Sequence, residues 1–372
     1  MTRGLKIYFW EPSLSPHKQA LISALMESDA VESVICIAQK PLQAERVRLG
    51  WTSSRRTEEQ RVVMAPDKDQ VRSIVQDSPV DAIHIFSGLH WVPCIVWGLR
   101  EVRVQRRRHG IMSEPRNKDG WKGLLRLIHS SLTESTVRKS SDFVLAIGRH
   151  GPDWFAKVGY DSKKIFPFAY FVPDPCPSWG PRARSEEPVI GFVGRMNKDK
   201  GFDLFIESLL LLRKKVKVVV AGAGPSSHLL SRLQGRSHIN FESRGIVPME
   251  SIGRVMSDLD ILVVPSLTKN DGWAVVISEA LMSGTSVISS SHVGGSICLN
   301  EPMNGRILLR LKPKELAEQI SELIDSDLLS EDSRYLRRGA SLQKLSAQMG
   351  ADYLISILSH CYENAPMPKK FY

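Results

Sequence analysis

Two acids eight positions apart, Asp271 and Glu279, stand around the expected start of a helix in the segment 265–284, Pro-Ser-Leu-Thr-Lys-Asn-Asp-Gly-Trp-Ala-Val-Val-Ile-Ser-Glu-Ala-Leu-Met-Ser-Gly. Residues 261–264 read as a short buried strand, Asp271 and Gly272 fall where a helix can be capped, and Gly284 closes it before the next apolar run. Helical rise would set Glu279 roughly 12 Å from Asp271, about the span of a nucleoside diphosphate-sugar. One carboxylate would take sugar hydroxyls and the other the ribose, with the amides at the helix start facing the pyrophosphate. A capping aspartate followed two turns later by an exposed glutamate is also ordinary helix chemistry, so the pair alone assigns nothing.

Two further turns supply what that pair lacks. The strand at 189–193 runs into Gly194-Arg195-Met-Asn-Lys-Asp-Lys200-Gly201, where Gly194 lets backbone approach a ligand and Arg195 and Lys200 offer two positive charges to a pyrophosphate. A solvated basic turn would use the same residues. The strand at 216–221 feeds Gly222-Ala-Gly224, half of a dinucleotide fingerprint, and Glu242 lies near the distance expected of a ribose-binding acid. An NAD-type oxidoreductase is thereby raised, but Ser227 stands where the third glycine belongs and the motif begins far from a domain start. The glycine turn reads better as one wall of a site shared with Arg195, Lys200 and the 271–279 segment.

Taken in that order, these pieces resemble retaining glycosyltransferases of family 4, with GT-B architecture, over nearly all of residues 189–290. Gly-Phe-Val-Gly-Arg195 with Lys200-Gly201 resembles the family's phosphate-binding turn, and Gly222 to Pro225 its glycine turn. Residues 241–247, ending at Val247, resemble its nucleobase-side strand and loop, and 262–266 with 271–280 its signature segment. The resemblance implies that Arg195 and Lys200 neutralise the donor diphosphate, that Glu279 binds ribose, and that Asp271, Gly272 and Trp273 address the transferred sugar. It implies a UDP- or GDP-linked donor as substrate, no separate cofactor, no metal, and a same-face transfer to an acceptor hydroxyl. Two positions depart from the family: Asp271 replaces the usual glutamate, and Ala274 the usual glycine three places on. A sugar-nucleotide epimerase would share the architecture but needs further acid and base groups. A glycosyl phosphorylase needs a pyridoxal-binding lysine in a much longer chain.

The elements that must hold these residues follow from periodicity. Apolar, β-branched runs at 7–10, 34–38, 82–86 and 143–147, then at 189–193, 216–221, 261–264 and 286–289, alternate with longer amphipathic stretches. This is the pattern of parallel sheets covered by helices, hence an α/β chain of two Rossmann-like domains facing a cleft. Five prolines in 173–188 mark the break. The expected organisation is an acceptor domain over 1–177, a linker over 178–188, a nucleotide-sugar domain over 189–350, and a tail over 351–372 whose weak helical pattern suits packing on either domain.

A 372-residue chain that is 42% hydrophobic and 24% charged has the composition of a globular protein, and no apolar run reaches bilayer length. The N-terminus reads as a strand and not a signal-peptide core, and the five scattered cysteines suggest neither disulfides nor zinc, so the expected location is the cytoplasm. The net charge of +10 is concentrated in the first half, where Arg100 to Arg126 holds nine basic and three acidic residues. That run fits an anionic partner such as acidic lipid at the inner membrane face; no nucleic-acid signature accompanies it.

Chemistry in the first half is less patterned. His17 lies in the first strand-to-helix loop, where it suits the leaving phosphate or the acceptor, or simply a helix cap. Glu114 is the preferred polar residue of the acceptor side, with His109 second; both also suit a surface or sheet-edge role. Residues 119–132 place Trp121, Leu124, Leu125, Ile128 and Leu132 on one helical face, with Lys122 and Arg126 elsewhere on the helix. Such a face packs into a core or lies on an anionic membrane. Seven of eight tryptophans, Trp51 among them, precede residue 180, which suits sugar rings or a lipid interface. A lipid-linked glycan acceptor, in surface polysaccharide or lipopolysaccharide synthesis, is the setting this reading expects.

Overall fold

The computed structural model describes residues 4–42, 44–48, 50, 61–181 and 187–372. Trp51 and the linker positions 182–186 lie outside the described residues. The chain forms two compact units, one built from residues 1–48, 52–171 and 347–371, the other from 49–51, 172–346 and 372.

The first unit holds a seven-stranded parallel sheet of β1 (Leu5–Glu11), β2 (Val31–Ala38), β3 (Arg61–Met64), β4 (Ile83–Ser87), β5 (Arg108–Ser113), β6 (Phe143–Ile147) and β7 (Ile165–Phe168), in the order β3-β2-β1-β4-β5-β6-β7. Central strands covered on both faces must be apolar throughout, and Phe-Val-Leu-Ala-Ile of β6 is buried at every position. The edge strand β3, Arg-Val-Val-Met, has no fully buried residue. Ile7 pairs with Val34 on one side and with Ile83 on the other, so β1 is the point at which the strand order reverses. The Ala347–Tyr362 helix, far away in sequence, completes this unit.

The second unit holds a six-stranded parallel sheet of β8 (Val189–Val193), β9 (Val216–Ala221), β10 (Ile239–Gly245), β11 (Ile261–Val264), β12 (Ser286–Ser290) and β13 (Gly305–Leu308), in the order β10-β9-β8-β11-β12-β13. Its core joins Phe192, Phe202 and Phe205 to Val218, Val263 and Ile320. The neighbours β8 and β11 pair at only two positions, Ile261 with Ile190 and Leu262 with Gly191. Their carboxyl ends therefore separate at the reversal of strand order, where open parallel sheets leave a crevice. Residues 173–181 have no regular structure and are held within this unit: Asp174 pairs with Arg338 at 2.5 Å, and the Trp179 indole donates to the Ser283 carbonyl at 2.8 Å.

Candidate functional site

Three loops meet at the carboxyl ends of β8, β9 and β11. After β8 the backbone turns through Gly194, φ +146°, with open space where a Cβ would stand. Gly194 N–H donates to the Ala221 carbonyl at 2.9 Å, Met196 N–H to that of Ala223 at 3.0 Å, and Gly222 N–H to that of Gly245 at 2.6 Å. A Cβ on Gly222 would lie 1.9 Å from the Gly194 oxygen, and one on Gly224 2.3 Å from the Met196 oxygen. The Gly222 and Gly224 requirement is thus set by contact between two protein loops. Ser227, in the third-glycine position, closes the turn with its hydroxyl on the Gly224 amide (3.1 Å) and carbonyl (2.7 Å), and a 3-10 helix follows. Glu242, the acid of the oxidoreductase alternative, is tied to Lys217 at 2.9 Å and Arg244 at 2.8 Å, bonds that hold its pKa below the ordinary carboxyl value.

The loop after β8 is joined in turn to the loop after β11. Lys200 N–H donates to Asn197 Oδ1 at 3.0 Å, Leu267 N–H to the Asp199 carbonyl at 2.8 Å, and a Cβ on Gly201 would stand 2.2 Å from the Pro265 oxygen. Above this junction Lys200 Nζ pairs with Asp271 Oδ1, while Ser266 Oγ donates to Asp271 Oδ2 at 2.7 Å. Ser290 Oγ donates to the Ser266 carbonyl at 2.7 Å and fixes its position. Arg195 is exposed on the same loop as the half-buried Lys200.

The helix that follows differs from expectation at its start. It spans Val275–Met282, its cap position is Ala274 at φ +59°, and no side chain caps it. Asp271 is not the cap because Lys200 and Ser266 hold its carboxylate. Ala274 keeps a left-handed backbone, a conformation costing an L residue roughly 1 kcal/mol. Trp273 is fully buried with its indole N–H on Ser278 Oγ at 2.8 Å, so its ring anchors the loop and does not present a face to a sugar. Gly294 N–H binds the Asp271 carbonyl at 3.1 Å and Gly295 N–H that of Trp273 at 2.8 Å, which fixes Gly272 between two tethers. Glu279, in the second turn, is 8% exposed, and burial pushes its carboxyl up to about 7. Val247 follows β10, half-buried, its carbonyl lying where a Cβ on Gly50 would stand 2.7 Å away.

The second unit thus gathers Gly194, Arg195, Lys200, Gly222, Gly224, Asp271, Gly272 and the buried Glu279 around one strand-order reversal. In the first turn of the Val275–Met282 helix Ile277 N–H already donates to the Ala274 carbonyl at 3.0 Å, and the amides ahead of it have no acceptor within the helix, so the site offers cations, amide donors and two carboxyl groups. That combination suits a molecule with an anionic middle and hydroxyl-bearing ends. Ser266, Asn197 and Ser290 are not announced by the sequence; a hydroxyl two residues beyond the Val264 strand end is the available signal for Ser266.

The first unit places its expected residues differently. His109 sits within β5, 3% exposed, its ring nitrogens on the Arg107 carbonyl (2.9 Å) and Ser140 Oγ (3.1 Å). Burial pulls its pKa down, and it serves the sheet, not a solvent-facing site. Glu114 lies just past the carboxyl end of β5, half-buried, and His17 is half-buried in the first turn of the Pro16–Met26 helix. Beside His17 lies a cluster the sequence did not announce: Lys18 Nζ is 3.2 Å from Glu11 Oε1 and donates to Ser87 Oγ at 2.9 Å, while Ser87 Oγ donates to Glu11 at 2.7 Å. It stands at the carboxyl ends of β1 and β4, the reversal point of this sheet.

Among the described residues no group of three or more His, Cys, Asp or Glu could hold a metal ion, and no helix is long and apolar enough to cross a membrane. Residues 187–326 match the glycosyl transferases group 1 family. That span contains every donor-side residue named above. Among curated relatives, the chain is 23% identical to the alpha-D-kanosaminyltransferase of Streptomyces kanamyceticus over 238 residues, 59% of this chain and 61% of that one. It is 25% identical to the GDP-mannose-dependent alpha-mannosyltransferase of Corynebacterium glutamicum over 274 residues, 69% and 62% of the two chains. An uncharacterized glycosyltransferase of Methanocaldococcus jannaschii matches at 27% over 147 residues, 38% and 37% of the two. The chain spans less than two thirds of the length of these relatives. Among solved structures, Anabaena HepE in complex with UDP superposes with a TM-score of 0.71 at 15% identity, covering 96% of this chain and all of that one. The lipopolysaccharide outer core galactosyltransferase WaaB, in its apo form, gives 0.68 at 13% identity, with 96% and 99% covered. The fold is that of the GT-B glycosyltransferases: two parallel-sheet α/β domains.

Proposed function

We propose that the protein transfers a sugar from a UDP- or GDP-linked donor to a hydroxyl of a lipid-linked glycan, with retention of configuration and without a metal, at the cytoplasmic face of a membrane. The observation that carries this reading is the Lys200–Asp271 pair, with Arg195 exposed on the Lys200 loop and Glu279 buried in the second turn of the helix that follows, at the β8/β11 reversal inside the matched span. Arg195, Lys200 and the helix amides would meet the charge that grows on the departing diphosphate, the largest protein contribution expected in such a transfer. Donor phosphates would draw Lys200 away from Asp271, leaving that carboxylate for sugar hydroxyls, with Gly272 offering backbone. Glu279 would accept from the ribose, and Val247 would flank the base. On the acceptor side Glu114 is the candidate polar contact. The acceptor oxygen bonds to the anomeric carbon as the sugar–phosphate bond breaks, and the acceptor proton passes to the leaving phosphate oxygen on the same face. The likeness to the lipopolysaccharide outer core galactosyltransferase WaaB and to the mannosyl- and kanosaminyltransferases supports sugar transfer as the reaction class.

Calorimetry with UDP, GDP and NADH, followed by mass spectrometry of a nucleotide-sugar panel, tests this. One nucleoside diphosphate should bind, and Arg195→Ala and Glu279→Ala should each lower donor turnover by about one hundredfold or more, the scale of losing a preorganised charge contact. NADH binding without nucleoside diphosphate binding, or near-normal turnover in both variants, would sink the assignment.

A further inference from the structure

A helix that covers a sheet normally buries its large apolar stripe and shows its polar side. The Gly120–Thr133 helix does the reverse. Trp121, Leu124, Leu125, Ile128 and Leu132 are 69%, 57%, 55%, 49% and 72% exposed, while its fully buried positions are Gly123 and Ser130. At 3.6 residues per turn the five exposed side chains fall within an arc of about 100°. The opposite side fixes that orientation: a Cβ on Gly123 would lie 2.0 Å from the Lys118 carbonyl carbon, and Ser130 Oγ accepts from Arg116 at 3.1 Å. Leu127 packs against the core of Trp154, Phe155 and Val158.

Charge and aromatic placement identify what covers the outward face. The helix contains no acidic residue. Lys122 stands beside the face with its ammonium 5.6 Å from the Trp121 ring, and Arg126 lies further round the same flank. A second tryptophan, Trp91, is 86% exposed; His90, adjacent to it, has its ring 6.3 Å from that of His129 on the helix. Two exposed indoles and cations flanking an apolar arc are the composition of a segment that lies in the headgroup layer. Self-association through a two-fold contact would set Lys122 and Arg126 against their own copies, a like-charge juxtaposition.

We propose that this face docks on an anionic bilayer, with the five apolar side chains in the interfacial layer and Lys122 and Arg126 on acidic headgroups. The helix starts seven residues beyond the end of β5, so Trp121 lies at the carboxyl edge of the first sheet, the edge that carries Glu114. The inference deepens the lipid-linked acceptor reading, on which it rests for its purpose: a lipid-carried glycan would be met at the surface where its lipid is anchored.

Flotation of the whole chain with phosphatidylcholine vesicles, with and without phosphatidylglycerol, reads this directly. Binding should require the acidic lipid and weaken as salt rises. Leu124→Ser/Leu125→Ser/Ile128→Ser should lower partitioning about tenfold or more, because each removes buried hydrocarbon from the interface. Lys122→Glu should weaken the preference for phosphatidylglycerol, and both variants should keep wild-type nucleotide binding and circular dichroism, since Lys122, Leu124, Leu125 and Ile128 are all exposed, whereas Arg126 also donates to the Asn117 carbonyl at 3.1 Å and is left unchanged. Equal partitioning of wild type and the triple variant would overturn the proposal, as would a dimer in sedimentation equilibrium that the triple variant dissociates. Vesicle binding without nucleotide binding would leave it standing and overturn the transferase reading; nucleotide binding without vesicle binding would do the opposite.

Discussion

Glu279 is a carboxyl group held out of water before any donor arrives, and that makes it a proton sensor for binding. Burial raises its pKa from the ordinary 4.5 to about 7. Ribose hydroxyls donating to it favour the ionised form, so binding would expel a proton, and affinity should rise with pH up to about 7 and level off above it, approaching about tenfold per pH unit on the acid side. Isothermal calorimetry across that range, repeated in buffers of different ionisation enthalpy, would show the proton release; a flat profile in wild type, matching Glu279→Gln, would remove Glu279 from the ribose. The same burial has a stability counterpart. An acid whose folded pKa lies above its unfolded value contributes stability that is lost as pH rises from the unfolded pKa through the folded one. Glu279→Gln should therefore raise the unfolding free energy above pH 7, by at most about 3 kcal/mol, and have little effect near pH 4. Of the candidate residues, the acids and cations were legible because the chemistry they imply is local in sequence: Asp271 and Glu279 flank one turn, Arg195 and Lys200 another. The direction of Trp273 was not, since nothing in Gly-Trp-Ala shows that Ser278 takes the indole N–H. His109 was likewise illegible, because its partners Arg107 and Ser140 become neighbours only once β5 is in the sheet.

At the scale of elements, the short Val275–Met282 helix is held at its far end by arginines that no motif announces. Arg337, fully buried, donates to the carbonyls of Gly284 (2.7 Å), Met303 (2.7 Å) and Leu328 (2.6 Å); burial lowers its pKa to about 10. Arg338 bonds the Met282 carbonyl and stacks on Trp179, 5.3 Å from its ring centroid. Helix C-terminal carbonyls need outside donors, and these side chains supply them from the neighbouring Glu331–Leu345 helix. Arg337→Ala strands three buried carbonyls at about 1 kcal/mol each and opens a cavity besides, so a loss on the order of 3–5 kcal/mol is expected. Urea unfolding measures it, and a loss below about 1 kcal/mol would mean that water replaces the guanidinium. The buried central strands are legible in the sequence because their apolar runs are continuous, whereas β3, β5, β7 and β13 are not. The reasons are visible in their residues: β3 is an exposed edge, β5 begins Arg-His-Gly, β7 carries Pro167, and β13 begins Gly-Arg. The Gly120–Thr133 helix shows the opposite limit, for its apolar periodicity was plain while its orientation depended on Gly123 packing against Lys118.

For the whole molecule, the path of the chain decides what can be removed. It leaves the first unit after Phe171, builds the second through Ser346, and returns with the Ala347–Tyr362 helix beside the Pro16–Met26 helix. A bridge between Val172 and Ser346 marks the two crossings. The returning helix buries Tyr353, Leu354, Ile357 and Leu358, Gly350 lies where a Cβ would stand 2.3 Å from the Phe171 ring, and Tyr362 donates to Asp142 at 2.8 Å beneath the Arg108 guanidinium. Its apolar face was readable in the sequence; its partner was not, because periodicity states which side is buried and not against what. Ending the chain after Ser346 would withdraw four large buried side chains from the first unit, on the order of 10 kcal/mol of apolar burial, comparable to the whole stability of a domain. The first unit should then unfold at much lower denaturant than in the full chain. Arg195, Lys200, Asp271 and Glu279 all belong to the second unit, so nucleoside diphosphate binding should survive the truncation. Denaturant titration followed by both circular dichroism and nucleotide calorimetry separates the two expectations. A truncated chain with an unchanged unfolding midpoint would show that the returning helix contributes little to the first unit. Lost nucleotide binding would show that the donor residues depend on more than the second unit's own packing.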